Sequence, residues 1–216
     1  MYRWDKPLAP RLETAYYEYM ARTVLAELFS ERYSELKRED KPDLQDIQKN
    51  LGVEVTRALE RNFGEIYGLL PKVYYGEDEM QQKATNRIIE LGGRFSEDEF
   101  RILSWPTGHD NFNAIYCEFE KKLKKINAKG YVKFKNYELF IHSDILADSS
   151  MLEHALCELI EKQSNCKEKF ELVYVYVPEA LYTLDLSKNK FCSTKLETMW
   201  QTEATISARE RAESNG

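Results

Sequence analysis

The segment Phe170–Val177 leaves this chain the fewest choices of fold. It is rich in valine and tyrosine and holds neither glycine nor proline, which suits a pleated strand. Before it, residues 151–162 place Leu152, Leu156, Leu159 and Ile160 on one side of a helix. Residues 137–142 read as another strand. A strand, a helix and a further strand make the right-handed crossover that joins strands of one sheet. The expected fold class is therefore α/β, a central mixed sheet flanked by helices that contains 53–55, 137–142 and 170–177. Residues 181–186 add a further strand.

A long helix is expected over 11–33, after Pro7 and Pro10, with Tyr17, Met20, Val24, Leu25 and Leu28 at helical spacing. The charged segment 34–41 predicts a strand that is short or absent. Residues 57–130 read as a helical insertion. It begins with a helix over 57–70, weakened by Gly64 and Gly68 and ended by Pro71. A second helix over 78–91 stops at Gly92 and Gly93. Ser96 with Glu99 three residues on resembles a capped helix start, and 105–111 is a turn-rich loop. Phe112, Ile115, Tyr116, Phe119 and Leu123 then mark an amphipathic helix. Residues 1–200 are expected to form one domain including this insertion, and 201–216 a polar, disordered tail.

The chemistry is suggested by two acids. Asp43 and Glu54 stand on two short extended segments joined by the polar turn Gln48, Lys49, Asn50. Side chains alternate along a strand, so Val53 and Val55 share a core face while Glu54 and Thr56 share the other. If the segment from Asp43 pairs with this strand, the two carboxylates converge. They then repel unless a cation lies between them, and Mg²⁺ takes oxygen ligands from one or two carboxylates, with water and phosphate completing its shell.

Pro42, Asp43 and Glu54 resemble the pattern of the PD-(D/E)XK nuclease superfamily, a Pro-Asp followed on the next strand by an acid, any residue and a lysine. The resemblance implies a restriction-endonuclease-like sheet, Mg²⁺ as cofactor and phosphodiester cleavage of a nucleic acid. It implies Asp43, Glu54 and the carbonyl of Val55 as metal ligands, with Asp43, Glu54 and Thr56 as the catalytic set. Thr56 stands where the family carries its lysine; Arg57 and Gln45 are nearby candidates, and neither is an equivalent general base. The family also brings a helical glutamate towards the metal, for which Glu13 and Glu27 are the candidates; the bland alternative is that both are exposed.

Composition narrows the partners. The net charge of −6 argues against a protein that coats nucleic acid nonspecifically. The best local basic group is Lys121, Lys122, Lys124 and Lys125, followed by Lys129, Lys133 and Lys135. Lys121, Lys122 and Lys125 are its candidate phosphate contacts, against the plainer reading of a solvated helix face. Tyr16, Tyr17, Tyr19, Tyr74 and Tyr75 have the chemistry to stack on bases and are read as structural. No apolar run is long enough to cross a bilayer, and the first six residues lack the apolar core of a signal peptide. The four cysteines form no CxxC pair and no ligand spacing with the three histidines, which fits reduced thiols in a cytoplasmic protein without a zinc site. His142, Ser143 and Asp144 are adjacent on a strand and point to opposite faces, so no triad is read from them, and His142 is expected to be a polar residue at a strand end. Two functions remain open: a Mg²⁺-dependent nuclease, or an inactive nuclease-fold module that binds nucleic acid, a protein partner or a second copy of itself.

Overall fold

A computed structural model describes residues 8–58, 65, 69, 72–73, 77–95, 102–104, 111–177 and 180–215. In chain order the elements are α1 (Glu13–Leu28), α2 (Ser30–Tyr33), β1 (Lys37–Arg38), β2 (Leu44–Asp46), β3 (Leu51–Ala58), α3 (Asp78–Glu90), β4 (Arg94–Phe95), β5 (Ile102–Ser104), α4 (Asn113–Ile126), β6 (Asn136–Ser143), α5 (Ser149–Lys162), β7 (Phe170–Val177), β8 (Ala180–Asp185), β9 (Lys190–Lys195) and α6 (Thr198–Asn215). They fall into two compact units. The smaller, within Leu59–His109, carries α3 and the antiparallel pair β4 and β5, with Val73, Ala84 and Ile88 buried together.

The larger unit is built on a seven-stranded mixed sheet in the order β1-β2-β3-β6-β7-β8-β9. Its centre, β3, β6 and β7, is parallel, and both flanks are antiparallel. The three segments expected in one sheet are therefore adjacent strands of it. Asp148 caps α5 by accepting the Met151 amide at 2.8 Å. One sheet face packs Val53, Val55, Phe140, Tyr174 and Leu181 with residues of α1 and α6. The other packs Leu139, Ile141, Val173, Val175 and Leu184 with α4 and α5. Central strands covered on both faces are apolar almost throughout. A polar side chain on such a strand is consequently buried, whichever face it takes.

The charged 34–41 segment keeps the short strand expected of it, the two residues of β1. Other expectations change. β3 runs on through Arg57 and Ala58, where the sequence suggests a helix, because all eight of its residues pair with β6. The insertion is shorter than 57–130, since α4 belongs to the sheet-bearing unit, where Ile115, Phe119, Leu123 and Ile126 join the main core. The polar tail is the 18-residue helix α6. Its overall polarity conceals Ala204, Ala208 and Ala212 at four-residue spacing, all buried in the same core cluster as α1, and small side chains let two helices approach closely. The strand β9, absent from the sequence reading, is an edge strand with mostly exposed residues and no clean alternation. Gly64, Gly68, Pro71, Tyr74, Tyr75, Ser96, Glu99 and most of the 105–111 loop lie outside the described residues. Among the described residues no helix is long and apolar enough to cross a membrane, and the cysteines are unpaired.

Candidate functional site

β2 and β3 pair antiparallel with Leu44 opposite Val53. One step further along, that register sets Asp43 against Glu54 and turns both side chains to the face covered by α4. A Cβ at Gly52 would collide with the ring of Pro42, so glycine there lets the turn carrying Asp43 lie flat on β3. The ladder ends at Leu44, and Asp43 continues it with its side chain: Oδ2 accepts the Val55 amide at 2.7 Å. A residue's N–H and C=O point to the same edge of its strand, so the Val55 carbonyl shares that edge.

The cations come from α4. Lys122 and Lys125 are three residues apart and so lie on one side of the helix. Lys122 Nζ donates to Asp43 Oδ2 at 2.9 Å and to Glu54 Oε2 at 2.5 Å. Lys125 Nζ reaches Glu54 Oε2 at 2.9 Å and Asp43 Oδ1 at 3.4 Å. Glu54 is fully buried. Its second oxygen, Oε1, accepts the hydroxyl of Tyr131, and Lys125 stands over the Tyr131 ring, 5.9 Å from its centre. Burial alone pushes Asp43 up, but the Lys122 ammonium, the Val55 amide and Lys125 outweigh it and hold the carboxyl below its ordinary 3.8. Burial lowers Lys125, and its bonds to Glu54 and Asp43 reverse this, leaving it above 10.5 and fully an ammonium. Burial, then the Glu54 carboxylate, push the Tyr131 phenol well above the usual tyrosine range, so it remains a donor.

A cleft of about 350 Å³ opens onto this cluster, lined by Thr14, Tyr17, Glu18, Asp43, Val55, Thr56, Arg57, Lys122 and Lys125. The sequence candidates distribute unevenly around it. Asp43, Glu54, Val55, Lys122 and Lys125 come together. Thr56 lines the cleft but gives its hydroxyl to Glu118 Oε2 at 2.8 Å. Lys121 is exposed and bound to Glu118 at 2.5 Å, away from the acids. Gln45 turns back onto the carbonyls of Pro42 and Asp40. Neither helical acid named from the sequence enters: Glu13 pairs with Arg57 at 3.2 Å, and Glu27 accepts Trp200 Nε1 at 2.7 Å. The helical acid of the cleft is Glu18, paired with Arg38. Burial, only partly offset by Arg38 and reinforced by the charge of Asp43, raises it above 4.5.

Signals for the missed residues exist in the pattern. Glu18 follows Ala15 by three and precedes Ala21 and Leu25 by three and seven, an acid inside an apolar stripe. Lys122, already a candidate phosphate contact, carries the signal of its buried partner in the same way, between Phe119 and Ile126. Charges in apolar stripes face a partner more readily than solvent. Tyr131 has no such signal, because it lies in the loop between α4 and β6. Its bond to a buried carboxylate gives it a measurable weight. Tyr131→Phe is expected to cost about 2 kcal/mol in chemical denaturation, with the far-ultraviolet spectrum unchanged; a neutral result would mean that Glu54 does not depend on the phenol.

His142 is a polar residue at a strand end, as expected, one residue from the end of β6. It is buried, with Nε2 3.0 Å from the Tyr17 carbonyl oxygen, and Ser143 gives its hydroxyl to the Ala58 carbonyl. Among the described residues no three His, Cys, Asp or Glu side chains form a metal cage. Comparison with known protein families, with curated proteins and with solved structures finds no match for the chain.

Proposed function

We propose that the chain is a metal-dependent phosphodiester hydrolase acting on nucleic acid, a PD-(D/E)XK-like nuclease in which α4 supplies the lysine that position 56 lacks. The observation that carries this reading is the convergence of Asp43 and Glu54 on the ammonium groups of Lys122 and Lys125 at the base of a cleft. The order of elements supports it: a helix, a short antiparallel run β1-β2-β3, a further helix, and β6 parallel to β3.

The donor set suits a hard cation. Asp43, Glu54 and the Val55 carbonyl would hold Mg²⁺, which needs no third carboxylate because it retains water and phosphate oxygens. Bound there, the ion would supply a more acidic water and positive charge beside the phosphate. The chain's own groups do the rest. The Val55 amide holds Asp43, and Tyr131 holds Glu54 so that Oε2 faces the lysines. Lys125 is an ammonium at neutral pH and 35% exposed; it therefore acts as a charge and a donor to phosphate oxygen, not as a base. Thr56 cannot replace a lysine, since it has no charge and is held by Glu118.

The same neutralised cluster supports the second reading, an inactive module that binds nucleic acid or a protein partner and whose acids, satisfied by lysines, serve stability. Calorimetric titration with Mg²⁺ and Mn²⁺, paired with hydrolysis of bis(p-nitrophenyl) phosphate and of DNA and RNA, separates the two. Under the nuclease reading, hydrolysis requires the metal, and Asp43→Asn and Glu54→Gln each reduce it to the metal-free level while remaining folded. A folded, metal-bound wild type that is inert on every substrate would end that reading in favour of the silent module.

A further inference from the structure

Charge around the cleft is balanced almost residue for residue. Lys122 and Lys125 face Asp43 and Glu54, Arg38 faces Glu18, Lys121 faces Glu118, and Arg57 faces Glu13. Further along the basic run, Lys133 pairs with Glu168 at 3.1 Å. Double-stranded DNA presents a charge every ~1.7 Å, and each phosphate held needs a cation to spare. Lys124, Lys129 and Lys135 are exposed but are not among the residues that line the cleft, and the whole chain is net negative. The cleft itself therefore needs another source of affinity.

That source is Arg57. It leaves the end of β3 at the cleft wall, its guanidinium carbon 4.7 Å from the centre of the Tyr17 ring. The ring of His142 meets Tyr17 edge-on at 4.8 Å and fixes it from the protein side. The guanidinium is thus backed by an aromatic ring, while 39% of the Arg57 side chain remains exposed. Its ion pair with Glu13 is open to solvent, as Glu13 is itself 47% exposed, and such pairs are weak and readily exchanged. A flat cation on an aromatic support is a stacking surface for a base, and its unused N–H groups suit one phosphate. Paired bases in a duplex keep their faces stacked on one another and cannot use it. Unpaired bases can, whatever their sequence.

We propose that the cleft selects single-stranded nucleic acid, with the nucleotide beside the scissile phosphate stacked on the Arg57–Tyr17 platform. This rests on the nuclease reading for the reacting centre and adds the substrate class. These contacts favour one anchored nucleotide and few phosphates, so binding depends on the plane of Arg57 as much as on its charge.

The test is fluorescence anisotropy with a labelled single-stranded oligonucleotide of mixed sequence, against a hairpin duplex of the same length. Ca²⁺ replaces Mg²⁺ so that binding is read without turnover. The single strand is expected to bind at least about ten-fold more tightly than the duplex, with a salt slope shallower than about −2, the mark of two or three phosphates. Arg57→Lys keeps the charge and loses the plane, and is expected to forfeit about ten-fold of the single-strand affinity; circular dichroism verifies its fold. Equal or tighter duplex binding, a steep salt slope, an Arg57→Lys protein of unchanged affinity, or no binding of either strand form would each overturn the proposal. Hydrolysis of bis(p-nitrophenyl) phosphate is measured alongside. Metal-dependent hydrolysis with a preference for duplex retains the nuclease and overturns the single-strand inference. Selective single-strand binding through Arg57 without any hydrolysis retains the substrate class and removes only the catalysis.

Discussion

Exchange of both Lys122 and Lys125 for methionine is expected to destabilise the protein by about 3–5 kcal/mol at neutral pH. The reason is the environment of the acids these lysines serve. Glu54 is fully buried and Asp43 is largely so. Without the two ammonium groups, Glu54 retains only the Tyr131 hydroxyl and Asp43 the Val55 amide. An uncompensated buried charge costs several kcal/mol, far more than a solvated pair at the surface contributes. Two further measurements identify the cause. Adding Glu54→Gln to the double variant is expected to recover much of the loss, because the buried charge is gone. Mg²⁺ at about one hundred times its Kd should raise the stability of the wild type by roughly 2.7 kcal/mol, and that of the double variant too if the acids hold the ion without the lysines. Urea denaturation of the three proteins, with and without metal, provides these numbers. A double variant as stable as the wild type would show that the lysines are solvated and that the cluster does not exist in solution.

Stability is expected to fall as pH drops from 6.5, by about 1.4 kcal/mol for each pH unit. The group responsible is His142, enclosed by Tyr17, Phe140 and Tyr176 with ring centres at 4.8, 5.0 and 5.7 Å. Burial lowers its pKa from 6.5 to about 3; the Tyr17 carbonyl opposes the shift and Arg57 assists it. The folded protein therefore keeps the ring neutral while the unfolded chain takes a proton below 6.5. The unfolded state binds more protons, so the contribution is complete above 6.5 and is lost as pH falls towards 3, in total on the order of 5 kcal/mol. Comparison with a variant lacking the ring isolates it between pH 6 and 5, because Glu18 and Glu138, whose carboxyls burial raises, are common to both proteins. His142→Phe removes the titrating group and is expected to flatten the profile in that window, whatever it does to stability at pH 7. An unchanged slope in the variant would assign the pH dependence elsewhere.

Local pattern settles some features and packing settles others. The strands around Val53, Leu139 and Val173 are legible because pleat alternation and apolar runs are properties of a segment alone. The opposition of Asp43 and Glu54 is legible for the same reason: a short hairpin fixes register by its own length. The helix α5 is also read from spacing, with Leu152, Leu156 and Leu159 buried as expected.

What the segments could not carry is which surfaces meet. The partners of the two acids are 68 to 82 residues away along the chain, and only the packing of α4 on the sheet delivers Lys122 and Lys125 there. Lysines in a charged run look solvated until a buried carboxylate claims them. The helical acid is decided in the same way: Glu13 and Glu18 lie about 140° apart around α1, and the face that α1 packs inward determines that Glu18 lines the cleft. The tail is the clearest case: Ala204, Ala208 and Ala212 contribute little helical patterning of their own, and α6 becomes a buried element because α1 offers a surface for them. Periodicity and register thus follow from the sequence of each segment, whereas charge partners, burial of His142 and the assembly of the cleft follow from contacts between segments distant in the chain.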